Sequence, residues 1–250
     1  MRHIDKTNIA FKSRFEAIVD PYIQNGHYRY DDLADADRIA LREVLRDEQD
    51  STCAYCMRFL SEATSDHVIP KYISIENYSR AYRHLGGNLY RRDFIYGETY
   101  TDKAVGFYYP HPLAYGNMVY ACYDCNQAKD NDIIRPAFFK NPVTHVTYND
   151  KGTAEFSPSD TFSKDLKTLI NNDQYILIRF LWRAIKQSGL SVNDVENATD
   201  EGRRNIIFDT IKPIIDGNRT IKNFESLKSR FSVYTMWNRL KEFRWFWNYY

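Results

Sequence analysis

Apolar residues recur at helical spacing in two stretches ahead of the first cysteine. In Ile9–Ile23 they are Phe11, Phe15, Ile18, Val19 and Tyr22, with Pro21 placed to kink or shorten the helix and Gly26 to close it. In Ala34–Glu48 the stripe is Ile39, Leu41, Val44 and Leu45, and Asp35 or Asp37 is a candidate cap. The pattern breaks down over residues 51–140, apart from a short helical run at Glu76–Leu85 that Gly86–Gly87 stops.

Beyond Asn141–Pro142, Val146, Tyr148, Ala154 and Phe156 alternate around Asp150-Lys151-Gly152, the signature of a hairpin. Helical spacing then returns in Thr161–Asn171, Asp173–Ser188, Thr199–Asp216 and Phe224–Trp247. In the last of these Val233, Met236, Trp237, Leu240, Phe243 and Trp247 share a face. Three segments are expected: a helical one at 1–50, a cysteine-bearing one at 51–140 with a long insert at 71–116, and a hairpin with helices at 141–250.

Composition changes this picture little. Of 250 residues 43% are hydrophobic and 27% charged, as in an ordinary globular protein, though aromatics reach 16%. No apolar run reaches the roughly 18 residues of a membrane helix, and the N-terminal residues lack the apolar stretch of a signal peptide. A cytoplasmic protein without membrane contact is expected, in which thiols stay reduced and can bind metal. The net charge of +1 means that nucleic acid would have to be held by local basic patches.

The chain's four cysteines fall in two Cys-x-x-Cys pairs, Cys53/Cys56 and Cys122/Cys125. Each pair can clamp one side of a tetrahedral ion, so together they offer a four-cysteine zinc site. Four ordinary buried cysteines, or a redox pair, are the other readings of the same residues. Between the pairs lies Asp66-His67-Val68-Ile69-Pro70, and Asn126 follows the second pair directly. Asp66 and Asn126 offer hard oxygen ligands, which suit Mg2+ or Mn2+ better than zinc. His67 as neutral imidazole can take a proton from an attacking water.

CAYC, DHVIP, GNMVYACYDC and CNQAK together resemble the HNH endonuclease family, whose pattern is C-x-x-C, D-H-x-x-P, N, then C-x-x-C-[HN]-x-x-K. The resemblance spans residues 53–129. It implies an α+β fold, with a ββα-metal core pinned by structural Zn2+ and embedded in a mainly helical protein. It also implies His67 as general base, Asp66 and Asn126 as ligands of a catalytic Mg2+ or Mn2+, and Asn117 as the residue bracing the His67 loop. Asn88 competes for that bracing role, but Asn117 stands at the fitting distance from the second cysteine pair. Lys129 lies either near the phosphate or on a solvated helix face. A weaker likeness, in the segments flanking the knot, is to HNH subunits of bacterial anti-phage systems such as Septu. It implies an ATPase partner, which would supply any nucleotide-driven step, since this chain has no Gly-rich phosphate loop.

The expected activity is phosphodiester hydrolysis in DNA. RNA cleavage, or a non-catalytic zinc module that docks nucleic acid or a protein, are the alternatives. Arg80, Arg83, Arg91 and Arg92 in the insert, and Arg239, Lys241 and Arg244 near the C-terminus, are the candidate phosphate contacts. The C-terminal aromatics Trp237, Phe243 and Trp247 are expected in the core.

Overall fold

The computed structural model describes residues 4, 6, 8–27, 29–68, 100–102, 107–109, 113–130, 146–149, 152–156, 163–171, 173–211, 213 and 233–244. Among these residues the architecture is α+β, with helices surrounding three two-stranded antiparallel ribbons. The insert helix expected at Glu76–Leu85, Asn88 and the four insert arginines lie outside the described residues, as does Trp247.

Helix α1, Ile9–Gln24, starts where the Asn8 side chain accepts the Ala10 N–H, and it carries Pro21 without ending there. It closes at Gly26, whose φ of +79° is open to glycine at no steric penalty. Helix α2, Asp35–Glu48, departs from expectation at two points. Neither Asp35 nor Asp37 caps it: Ala34 holds that position, Asp35 pairs with Arg38, and Asp37 accepts the Tyr22 hydroxyl. Ile39 is half exposed, and the buried face consists of Leu41, Val44, Leu45 and Glu48. Leu41, Val44 and Leu45 are thus buried as the apolar pattern implies, while Ile39 falls outside the face and a glutamate joins it. Glu48 is tied to Lys6 Nζ at 2.6 Å and to the Tyr115 hydroxyl at 2.5 Å. Two partners are what a carboxylate needs to be tolerated at 4% exposure.

Strand β1, Thr64–His67, pairs antiparallel with a strand we call β4, Met118–Ala121, in the register Thr64↔Ala121 to His67↔Met118. Between them in sequence the insert contributes β2, Tyr100–Asp102, paired with β3, Phe107–Tyr109. A 3-10 turn, Tyr115–Asn117, leads into β4, and a short helix α3, Tyr123–Lys129, leaves it. All of β4 is buried, yet it has only one strand partner among the described residues. Its other edge is closed by a side chain. The Gln49 carboxamide accepts the Tyr120 N–H at 2.8 Å and donates to the Tyr120 carbonyl at 2.8 Å, as a neighbouring strand would.

The hairpin forms as its alternation predicts, from β5, Val146–Tyr148, and β6, Ala154–Phe156. Helices α4, Ser163–Ile170, and α5, Asp173–Gln187, follow. The Asn171 carboxamide repeats the strand-edge device, pairing both ways with the Ala154 backbone at 2.8 and 2.9 Å. Buried Arg179 on α5 donates to the Ile170 carbonyl at 2.7 Å and stacks on Tyr148. Sequence periodicity missed α6, Val192–Glu196, a single turn capped by Ser191. It also ran together what are two pieces, α7 at Asp200–Asn205 and a π-helical stretch at Ile206–Ile211.

Helix α8, Val233–Glu242, packs on α5, with the Trp182 indole N–H donating to the Leu240 carbonyl at 3.0 Å. Trp237 and Phe243 are buried, as their spacing predicts. One buried apolar cluster runs from Ile4 through the cysteines to Phe243, so the three sequence segments share a core.

Two substitutions test this packing. Gln49→Leu keeps the bulk but strands the Tyr120 N–H, and should lower unfolding free energy by about 1–3 kcal/mol in a denaturant titration. Gly152 has φ +78°, and a Cβ there would stand 2.4 Å from the Ile176 carbonyl and 2.9 Å from the Phe180 N. Gly152→Ala should therefore destabilise by more than about 1 kcal/mol, read as a lowered denaturation midpoint, since both backbone angle and contact oppose it.

Candidate functional site

The first cysteine pair sits on a tight turn after α2. The Cys53 carbonyl accepts the Met57 N–H at 3.0 Å, and Met57 takes φ +63°. A non-glycine residue there is strained by roughly 1–2 kcal/mol, so something must hold the turn in place. The turn is fixed to β4 by the Ala54 N–H, which reaches the Tyr120 carbonyl at 2.9 Å. Cys122 directly follows β4 and caps α3, accepting the Cys125 N–H at its sulfur at 3.4 Å. Strand pairing and turn thus bring together residues 69 positions apart, and the Cys122 N–H points at the Cys53 sulfur at 3.4 Å.

All four sulfurs lie within 4.8 Å of one another, and all four residues are buried, with no disulfide between them. The Cys56 and Cys122 sulfurs are 3.8 Å apart. Zinc–sulfur bonds of about 2.3 Å in a regular tetrahedron require sulfur–sulfur edges of about 3.8 Å. The cluster can hold a zinc ion. Electrostatics agree with the geometry. Hydrogen bonding with Cys125, Cys53 and Cys56 pushes the Cys122 thiol down. Cys56 is pushed up, by burial first, and Cys125 is pushed up by its bond to Cys122.

The surroundings are built for negative sulfur. Burial works against the Arg58 charge, but Cys122, Cys56 and Glu242 more than offset it and raise its pKa. Arg58 also binds Asp124 at 3.0 Å, and so stitches the first cysteine turn to α3. The Tyr175 hydroxyl lies 3.9 Å from the Cys125 sulfur, and burial together with the sulfurs holds it in the phenol form. Neither Arg58 nor Tyr175 has a sequence signature of its own; only the fold shows that they belong to the knot.

Beside the knot stands the Asp-His dipeptide. Side chains alternate along β1, so Thr64 and Asp66 face one way and Ser65 and His67 the other. On the first face Thr64 Oγ1 accepts the Asn126 amide at 3.0 Å, and Asp66 Oδ1 is 3.5 Å from Lys129 Nζ. Asn126 and Lys129 are one helical turn apart on α3, so a single helix face meets a single strand face. On the other face Tyr30 stands edge-on to His67, with ring centroids 6.3 Å apart at 90°, and its hydroxyl is 3.5 Å from Ser65 Oγ.

The dipeptide is held from several sides. Lys129 is 1% exposed and donates to the His67 carbonyl at 2.8 Å. The expectation of a solvated face for this lysine is thus corrected: its ammonium is inside, bonded to the His67 carbonyl and close to the Asp66 carboxylate. The Val68 N–H donates to the Asn117 backbone carbonyl at 2.9 Å, a continuation of the β1–β4 ladder that is independent of the side chain at position 117. Asp66 Oδ2 accepts the hydroxyl of Tyr55 at 2.6 Å, and Tyr55 is a residue of the first cysteine turn that sequence reasoning passed over. Burial raises the Asp66 pKa, against the opposing pull of Lys129 and the Tyr55 hydroxyl.

A carboxylate and a carboxamide on facing surfaces form a hard-oxygen donor pair suited to Mg2+ or Mn2+. Because the Asn126 amide hydrogen goes to Thr64, its carbonyl oxygen is the atom left for a cation, and among the described residues it accepts no hydrogen bond. The Lys129 ammonium already lies 3.5 Å from Asp66 Oδ1, so any cation held there would share that oxygen with it.

The C-terminal basic residues are engaged within the protein. Arg239 pairs with Glu242 at 3.0 Å, Lys241 donates to the Glu196 carbonyl at 3.2 Å, and Arg244 pairs with the Glu196 carboxylate at 2.8 Å. Among the described residues no helix is long and apolar enough to cross a membrane. No protein-family model, curated protein or solved structure matches this chain.

Metal analysis of the purified protein should find one zinc per chain. Cys56→Ser and Cys125→Ser should each lose the ion together with the native circular dichroism spectrum, since structural zinc contributes on the order of 10 kcal/mol of apparent binding free energy. A zinc-free serine variant with native spectrum and unaltered melting would exclude a structural ion.

Proposed function

We propose that this chain is a metal-dependent HNH-type endonuclease that hydrolyses phosphodiester bonds in DNA. The observation that carries the reading is the pairing of β1 with β4 beside the cysteine knot. It turns Asp66 toward the α3 face that bears Asn126 and Lys129, and sets His67 next to Asp66 at the strand end. Two strands, a helix, an Asp-His and a following Asn in this order are what the HNH reading of the sequence requires.

In this reading Asp66 and Asn126 bind the catalytic Mg2+ or Mn2+. When bound, the cation supplies charge stabilisation for the scissile phosphate and its leaving oxygen. His67 takes the proton from the attacking water at an imidazole nitrogen. Tyr30 stands edge-on to the imidazole, while Lys129 and the Asn117 carbonyl hold the C=O and the N–H of the His67–Val68 peptide. Attack by an activated water needs no 2′-hydroxyl, which favours DNA without excluding RNA chemically. The wider likeness to HNH subunits of anti-phage systems extends the proposal to defence, with an ATPase as partner.

A second reading has its own support. Asp66 and His67 are 5% and 6% exposed, and both Asp66 oxygens are engaged within the protein. A non-catalytic zinc module would tolerate such closure. Supercoiled plasmid and a structured RNA, each incubated with Mg2+ and with Mn2+, separate the readings. The endonuclease should nick or cut the plasmid, and His67→Ala should slow this by about 100-fold or more. Equal cutting by His67→Ala would remove the histidine from the mechanism; binding without turnover in every metal would favour the module.

A further inference from the structure

We propose that Tyr55 is a positioning residue that ties the placement of Asp66 to the four-cysteine knot. Tyr55 stands between Cys53 and Cys56, is 1% exposed, and gives its backbone N–H to the Cys53 sulfur at 3.4 Å. Its neighbour Ala54 is hydrogen-bonded to β4, so the turn cannot rotate independently of the ribbon. From this fixed base the ring crosses the interior to β1 and donates its hydroxyl to Asp66 Oδ2 at 2.6 Å.

A carboxylate rotates readily about its last torsion unless both oxygens are held. With Oδ2 held by Tyr55, Oδ1 is the oxygen presented to the α3 face, where Lys129 lies and Asn126 stands one turn away. Phenylalanine would fill the same space but release Oδ2, leaving the torsion to the longer Lys129 contact and the backbone at His67. A residue of the cysteine turn therefore fixes the first oxygen ligand of the adjoining site, and the two sites are coupled through it: disturbing the knot moves the base of Tyr55, and with it the hydrogen bond that aims Asp66. Outer hydrogen bonds of this kind to metal-binding carboxylates change metal affinity by about 10- to 100-fold.

The inference rests on Asp66 being a metal ligand, as proposed above. Its test is the Mn2+ affinity of the zinc-loaded full-length protein, measured from the electron paramagnetic resonance signal of free Mn2+. Tyr55→Phe should keep one zinc per chain and the native circular dichroism spectrum, yet bind Mn2+ 10- to 100-fold more weakly than the parent. Affinity within twofold of the parent, with zinc retained, would overturn the role of Tyr55 and leave the metal site standing. A parent protein that binds no Mn2+ would overturn the metal site itself, and this inference with it. Should Tyr55→Phe lose zinc, the double variant Tyr55→Phe/Asp66→Asn decides, because it has no buried carboxylate deprived of its donor. Recovery of zinc and native spectrum in the double variant ties the hydroxyl to Asp66; continued loss makes Tyr55 a residue of the knot alone and refutes the proposal.

Discussion

Convergence of four sulfurs from two turns 69 positions apart is the constraint on which the rest of this structure depends. The β1–β4 ribbon is only four residues long on each side, too short to hold itself together in water. Closing the intervening loop costs several kcal/mol of chain entropy, and the insert makes that loop long. A cluster able to bind a divalent ion at one end of the ribbon offsets that cost, and also holds Met57 in its left-handed conformation. Arg58 and the loop at Phe59 extend the same fixed point outward, since the Phe59 N–H reaches the Glu242 carbonyl at 2.6 Å. The C-terminal helix is thereby docked on the cysteine turn, and one core joins the two ends of the chain.

Small ribbons in a mainly helical protein leave strand edges that nothing in the backbone can satisfy. This protein closes two of them with carboxamides, Gln49 on Tyr120 and Asn171 on Ala154, each donating and accepting as a strand would. A carboxamide is the one side-chain type with donor and acceptor at the spacing of a peptide group. Arg179 and Glu48 serve the same end among the helices, where each joins two or more elements at buried positions. The interior is therefore more polar than the apolar stripes suggest, and it stays tolerable because these groups are bonded.

What could be read from the sequence, and what could not, follows from this. Helices α1, α2, α4 and α5 and the hairpin were legible because each buries a periodic apolar face. The shift of α2 toward Glu48, leaving Ile39 outside, was not, because its cause is Lys6 and Tyr115, remote in sequence. The cysteine cluster was legible from two spacings, since Cys-x-x-Cys is a local geometric statement. Lys129 was not: its helix is short, its flanking residues Gln127, Ala128 and Asp130 are exposed, and only the β1 face opposite makes its position interior. Tyr55 had a faint signal, lying within the first pair, where a side chain faces the knot or the strands behind it.

The two candidate metal positions differ in a way that the charges explain. The sulfur cluster has one cationic side chain at its margin, Arg58, which it shares with Asp124 and Glu242. The Asp66 position already has a cation of its own, the Lys129 ammonium, and a donor in Tyr55. A buried carboxylate that would otherwise be intolerable is thus accommodated with no metal present. The two positions therefore differ in kind: the cysteines form a cluster that could hold an ion, whereas Asp66 is already held by side chains of the protein itself.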